Sequence, residues 1–244
     1  MNSRIEITII YFLIFMLGAS VGSFIEALAY RRQEGISIVS PPSFCNFCKK
    51  RIKPYDLVPV LSFLWLKGKT RCCKNKIPIF TLLVEIILGL LYILAFSLYG
   101  PYEGIFFALA FTLSLLLTIT DIKSQEIYDT DLIILLLVGF LYRLIYIGID
   151  FRFLRLILIF ILGFMFVRFV SRGGIGDGDL FFYLGLFLFL ENDLIPILVL
   201  LSVWIGAIHA IIKALKTRSL KGKIAFCPSI FFAFVLLIIF KDLL

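Results

Sequence analysis

The chain has 244 residues, 61% of them hydrophobic. A soluble domain of this length cannot bury so much apolar surface, so lipid must be the solvent for most of it. The formal net charge is +8, but the basic residues cluster in connections between apolar runs, which points to membrane topology and away from nucleic acid.

Taken in chain order, apolar runs lie at about 5–29, 77–98, 102–120, 132–148, 153–170, 180–190, 195–212 and 225–240. They are continuous and do not alternate, so they predict helices and not barrel strands. The expected fold class is an all-α membrane protein with about eight transmembrane helices and a small cytosolic cysteine-rich insertion between helices 1 and 2. The expected segments are a first transmembrane helix over 1–30, the cysteine loop over 31–76, and a seven-helix core over 77–244. The first run is longer than the apolar part of a secretory signal, and Arg4 alone is a poor basic flank, so it reads as a membrane helix.

Residues 31–76 carry eleven Lys or Arg, and the 213–223 connection carries five. The connections near Tyr99 and Asn192 carry none. With eight spans, the positive-inside rule places the N-terminus outside and the cysteine loop in the cytosol. Asp121 and Asp177 then lie on the same, cytosolic side and can approach each other without crossing the bilayer.

The 31–76 segment is the only long polar stretch, and forty-odd residues need a staple to hold a fold. Four of the chain's five cysteines are here: Cys45, Cys48, Cys72 and Cys73. In a reducing cytosol these predict a tetrahedral thiolate site for zinc more than disulfides. Basic neighbours favour the thiolate form. The adjacent second pair departs from C-x-x-C spacing, and a metal-free loop packed by Phe63, Leu64, Trp65 and Leu66 is the alternative. Cys227 reads as an ordinary small apolar residue.

A carboxylate in a membrane segment costs at least ~2.5 kcal/mol and marks function by default. Asp129, Asp131 and Asp179 suit helix N-termini, where they satisfy free N–H groups. Asp121 ends an apolar run, where the helix dipole disfavours an anion. Asp177 lies in GGIGDGDL, next to the sixth run, which is too short to span alone. Part of that stretch must therefore sit at membrane depth, covered by protein or lining a wet cavity. Two carboxylates brought together there would divide into one base and one acid, the chemistry of an aspartic protease. No serine triad competes, and His209, the single histidine, reads as a helix residue.

At this level the chain resembles the bacterial type IV prepilin peptidases, which are leader peptidases and N-methyltransferases. Gly22-Ser23-Phe24 with Tyr30-Arg31 resembles the family's opening motif. Pro42-Ser43-Phe44-Cys45-x-x-Cys48, Tyr55-Asp56, Pro59-Val60-Leu61-Ser62 and Lys67-Gly68-Lys69 resemble its cysteine loop, and Ile77 and Glu85 the start of its second helix. Asp121 with Ile127-Tyr128-Asp129 resembles D-x5-I-P-D, with Tyr128 for proline. Gly174-Ile175-Gly176-Asp177 resembles G-x-G-D, and Phe226-Cys227-Pro228 resembles F-G-P with cysteine for glycine. Other departures are Glu26 for asparagine, Asp179 for lysine, and Thr70 at the first position of the second cysteine pair.

The resemblance implies catalytic aspartates at Asp121 and Asp177, with Gly174, Gly176, Asp129 and Asp179 around them. Asp179, two residues from Asp177, is also placed to compete as the catalytic group. The resemblance further implies a prepilin or pseudopilin substrate with a short basic leader cut at the cytosolic membrane face, S-adenosylmethionine as methyl donor, and a bacterial inner-membrane location. The alternative from another class is a transporter binding a cation at intramembrane aspartates, and an inactive pilin scaffold is a third.

Overall fold

A computed structural model describes residues 2–171, 176–217 and 225–241. The described residues are mostly helical, and the long cysteine loop between the first long helix and the next holds two isolated β-bridges. The chain divides into two compact units, Met1–Thr112 and Leu113–Leu244.

In the first unit α1 spans Asn2–Gln33 and ends in Arg31 and Arg32, cations placed at the negative end of the helix dipole. The helix α3 is assigned as one element, Ile79–Ser124, but Gly100 interrupts it with φ 70 and ψ −171. That left-handed conformation is open to glycine and strained for other residues. Pro101 follows as a first-turn residue, where its missing N–H costs nothing. The chain reverses there. Tyr99 stacks on Phe107 with ring centroids 3.7 Å apart, and the Tyr92 and Thr112 hydroxyls lie at 3.0 Å. The second and third expected spans are thus the two legs of one hairpin.

Glycines of α1 sit directly against the backbone of the first leg. A Cβ on Gly18 would lie 2.8 Å from the Leu88 carbonyl oxygen, and one on Gly22 would lie 3.0 Å from that of Val84. This close backbone approach is the usual way helices pack where lipid supplies no hydrophobic drive between them. It gives Gly22 of the opening motif a packing role.

The second unit contains the remainder of α3, then α4 (Asp129–Tyr142), a π turn over Arg143–Ile147, α5 (Phe151–Val170), α6 (Asp177–Phe187), α7 (Leu194–Thr217) and α8 (Cys227–Phe240). Counting the α3 legs separately, eight helical segments match the eight apolar runs. Among the described residues, five helices are long and apolar enough to cross a membrane, α4 together with its π turn being one of them. α5 leaves Leu158, Leu162, Phe166 and Phe169 exposed, as a lipid-facing helix does.

The helix α6 differs from its neighbours. Its eleven residues rise only about 16 Å, well short of a bilayer core of about 30 Å. It is enclosed: Phe182, Leu186 and Phe187 have no exposure. Phe160 of α5 packs edge-on against Tyr183 and Phe187. Its C-terminal carbonyls need donors, since lipid offers none. The buried Arg143 supplies them, donating to Phe187 O at 3.2 Å and Leu190 O at 2.8 Å, and to Asn192 Oδ1 at 2.8 Å. Asn192 in turn donates to Asp150, which caps α5 through the Phe153 N–H. A short helix can therefore end inside the protein and still begin close to one membrane face.

Candidate active site and thiolate cluster

The active site candidate is assembled from three helix ends of the second unit. Asp121 lies in the last turn of α3 and is 7% exposed. Its Oδ2 accepts the backbone N–H of Cys227 at 2.9 Å. Cys227 opens α8, and Pro228 follows it. First-turn N–H groups of a helix lack intrahelical partners and favour an anion. Asp121, placed against the dipole of its own helix, is thus held at the positive end of another.

The Cys227 side chain turns toward α6. Its Sγ donates to Asp179 Oδ1 at 3.6 Å. Asp179 is 8% exposed and lies across Cys227 from Asp121. One turn further along α6, the buried Tyr183 is hydrogen-bonded to Ser202 of α7. Two acidic side chains and a thiol therefore converge at the N-termini of α6 and α8.

Asp177 lies elsewhere. It is the first residue of α6, its side chain is 62% exposed, and it forms an ion pair with Arg168 of α5. Gly176 is the N-cap of α6, and Gly174 lies outside the described residues. Asp129 is exposed in the first turn of α4, a position that suits capping. His209 is exposed on α7.

Gly178 has a role its sequence context did not single out. A Cβ there would lie 2.5 Å from Ile127 Cδ1 and 3.0 Å from Ile127 Cβ. Ile127 belongs to the stretch after Asp121, so glycine lets the start of α6 close on the segment joining α3 to α4. Cys227 is the other residue read differently from sequence. It is buried, as a small apolar residue would be, but it bridges two acids. The signal for both was present: G-x-G-D occurs a second time as Gly176-Asp177-Gly178-Asp179, and Phe226-Cys227-Pro228 marks a helix start.

The thiolate cluster is in the first unit. Phe44 pairs with Arg51 and Lys69 with Lys76, each as an isolated antiparallel bridge. Inside the first, Cys45 N donates to Lys50 O and Lys49 N to Cys45 O, both at 2.8 Å. Inside the second, Thr70 N donates to Asn75 O at 2.8 Å and Lys74 N to Thr70 O at 3.0 Å. Lys49 and Lys74 have matching positive φ, 58 and 59. The two turns are the same knuckle, with Thr70 where the first has Cys45. Cys72, from the third position of its knuckle, supplies the fourth sulfur.

The four Sγ atoms lie within 4.8 Å of one another. Cys45–Cys73 is 3.7 Å, Cys72–Cys73 3.9 Å and Cys48–Cys72 3.0 Å. Zinc bound by four thiolates at about 2.3 Å puts the sulfurs about 3.8 Å apart. The donor set and its spacing therefore fit a tetrahedral metal ion. The Thr70 hydroxyl and the Asn75 backbone hold the Cys73 thiol down, to about 6. The hydrogen bond with Cys48 pushes Cys72 up to about 12. Burial acts to raise Cys45, but hydrogen bonds from the Cys48 and Phe47 backbone outweigh it and hold it below the ordinary thiol value.

Further contacts order the loop. Arg31 is buried and donates to Ser37 O, Ile38 O and Pro41 O. Glu85, buried in the first leg of α3, accepts the Val60 N–H at 2.7 Å. Val60 has φ 61, a strained value for a β-branched residue, at the start of α2 (Leu61–Trp65). Arg71 pairs with Asp56 through a two-pronged contact, 2.8 Å on each side.

Fold and site together define a multi-pass helical membrane protein with paired buried carboxylates and an attached thiolate module. Residues 16–99 match the bacterial peptidase A24 N-terminal domain, and residues 107–211 match the type IV leader peptidase family. The chain belongs to that family. Over 94% of both chains it is 29% identical to the prepilin leader peptidase/N-methyltransferase of Bacillus subtilis. It is 33% identical to the protein of the same name from Klebsiella pneumoniae, over 54% of this chain and 60% of that one. It is 25% identical to that of Neisseria gonorrhoeae, over 88% and 85%. No solved structure matches the chain. None of these similarities supports the transporter alternative.

Proposed function

We propose that this protein cleaves the short basic leader from type IV prepilins or pseudopilins and then methylates the new N-terminus, with S-adenosylmethionine as the methyl-donating co-substrate. The names of the relatives support both activities. The observation that carries the peptidase reading is the buried Asp121 carboxylate, held by the Cys227 N–H with a second carboxylate across the same residue.

Asp121 supplies one carboxylate and the Gly176–Asp179 turn supplies the other. The ionised member takes a proton from water as the water oxygen bonds to the scissile carbonyl carbon. The protonated member gives its proton to the carbonyl oxygen. Collapse of the resulting diol breaks the C–N bond and delivers a proton to the leaving nitrogen, so one water is consumed and both carboxyls return to their starting forms.

The charge distribution supports an N-terminus outside and a cytosolic cysteine loop, in a bacterial inner membrane. The division of labour we propose is a loop over 31–76 stapled by zinc on Cys45, Cys48, Cys72 and Cys73, and a peptidase core following it. When bound, zinc replaces thiol protons and ties the two knuckles together. The test is purified protein with a full-length prepilin. A leader fragment and a mature chain one methyl group heavier are expected, and Asp121→Asn should lose the fragment. An Asp121→Asn protein that cleaves at the wild-type rate would refute the peptidase reading.

A further inference from the structure

The short helix α2 is apolar on both sides, but only one side is covered. Successive residues turn by about 100° around a helix axis. Leu61, Leu64 and Trp65 therefore share one face, and Phe63 and Leu66 share the other. The second face points into the loop: Phe63 and Leu66 are half-buried, and a Cβ on Gly68 would lie 3.1 Å from the Phe63 ring. The first face is left open, with Leu61 and Leu64 exposed and Trp65 at 83% exposure. The preceding 3-10 turn, Pro54–Leu57, packs against α2, and Ser62 N donates to Val58 O at 3.0 Å. Tyr55, Leu57 and Val58 of this stretch are exposed as well, so the open face of α2 belongs to a larger apolar patch. A patch of this kind on a small, highly charged loop marks a contact surface.

We propose that this patch is inserted into the lipid headgroup layer at the membrane face where the loop emerges, so that the thiolate module rests on the bilayer through α2. The inference goes beyond leader cleavage and stands whether or not the peptidase reading holds.

Depth is the first argument. The loop leaves the membrane at the end of α1 and returns to it at Ile79, the start of α3. α2 is tied down between these points. The Val60 N–H, directly before α2, donates to the buried Glu85 carboxylate at 2.7 Å. Glu85 lies six residues into α3, which is about 9 Å along its axis. The start of α2 is thus held beside a membrane-spanning helix and not out in the solvent. Trp and Tyr are the side chains that settle where bilayer meets water, and Trp65 and Tyr55 are the two large aromatics on this patch.

Charge selects lipid over a protein partner. From Gly35 to Val84 the chain has nine Lys or Arg and one acid, Asp56, which is already paired with Arg71. Lys53, Lys67 and Lys69 are exposed around the patch. An apolar surface rimmed by cations suits a leaflet that contains anionic phospholipid. A substrate with a basic leader would be repelled by the same cations, and a second copy of this loop would be too.

The test is tryptophan fluorescence of the full-length chain in vesicles of phosphatidylcholine and phosphatidylglycerol, with the phosphatidylcholine brominated near the glycerol end of its acyl chains. The chain has two tryptophans, Trp65 and Trp204. Trp204→Phe leaves Trp65 as the sole emitter. Its emission is expected to fall severalfold when brominated lipid replaces the ordinary lipid, and to change little when iodide is added to the buffer. Quenching by iodide with none by bromine would put Trp65 in water and overturn the proposal. Quenching by neither would put a protein on this face, a second copy or a pilin, and overturn it equally. Should Trp204→Phe fail to fold, the wild type is compared with Trp65→Phe. The difference between them then reports residue 65, and a difference that bromination leaves unchanged overturns the proposal.

Discussion

The backbone N–H of Cys227 donates to the Asp121 carboxylate at 2.9 Å, so the end of α3 meets the start of α8. This contact resolves the odd placement of an acid at the C-terminus of its own helix. It uses the main chain of residue 227, so it does not depend on that residue being cysteine. Cys227→Gly should therefore keep leader cleavage within about tenfold, the difference reflecting the lost thiol hydrogen bond. A collapse to the level of Asp121→Asn would show that the thiol, and not the amide, governs the site.

Gly178 is predicted to tolerate no side chain. Gly178→Ala places a methyl 2.5 Å from Ile127 Cδ1, and overpacking of this kind costs about 1–3 kcal/mol. A lower melting temperature and slower cleavage are expected. Ile127→Ala in the same chain should recover part of both, because the two residues compete for one space. Equal deficits in single and double variants would argue that the strain lies elsewhere.

For the thiolate cluster, one metal ion per chain is expected by elemental analysis, and Cys72→Ser should lose it. The Thr70 knuckle has the same backbone turn as the Cys45 knuckle. Adding Thr70→Cys to the Cys72→Ser chain should therefore restore the metal from the other position. A double variant that stays metal-free would mean that the fourth sulfur must come from residue 72.

The Asp56–Arg71 pair gives the loop a pH dependence. Hydrogen bonds from Arg71 hold the Asp56 carboxyl below the usual carboxylate range. A depressed folded value stabilises the loop above the unfolded value, about 3.9, and that contribution fades as pH falls through the lowered one. Hydrogen exchange over residues 53–57 should be slower in the wild type than in Asp56→Asn at pH 7. The difference should vanish in acid below the lowered value. A difference that persists there would assign the protection to packing.

Arg143 is the remaining test. It has no exposure, and it satisfies carbonyls at the end of α6. Arg143→Ala leaves those acceptors without donors and opens a cavity. Loss of about 3 kcal/mol or more is expected, read as a lower melting temperature in detergent. Asp150→Asn, which keeps an acceptor for the Phe153 N–H, should cost less.

Some features were legible along the chain because they depend on composition and local chemistry. The runs 77–98 and 102–120 announced two helices, and the structure joins them through a reversal at Gly100, with φ 70. Cys45 and Cys48 announced a knuckle. Other features depended on direction. Whether Asp177 or Asp179 faces inward follows from where α6 starts, and a shift of two residues rotates a side chain to the opposite face. The equivalence of Thr70 to Cys45 was visible as an irregular spacing, but that Cys72 nevertheless reaches the cluster required the folded turn. Arg143 lies inside the apolar run 132–148, and only its buried partners gave it a purpose.

The residue order by itself determined that this chain lives in lipid, which apolar runs become helices, and which acids and thiols are available for chemistry. Lipid cannot satisfy backbone polar groups, so long apolar runs must become helices wherever they occur. The tertiary structure alone decided which acid meets Asp121. Convergence on Cys227 joins residues 121, 179 and 227, and the contact between such distant positions is set by helix phase and packing, not by anything local to the chain.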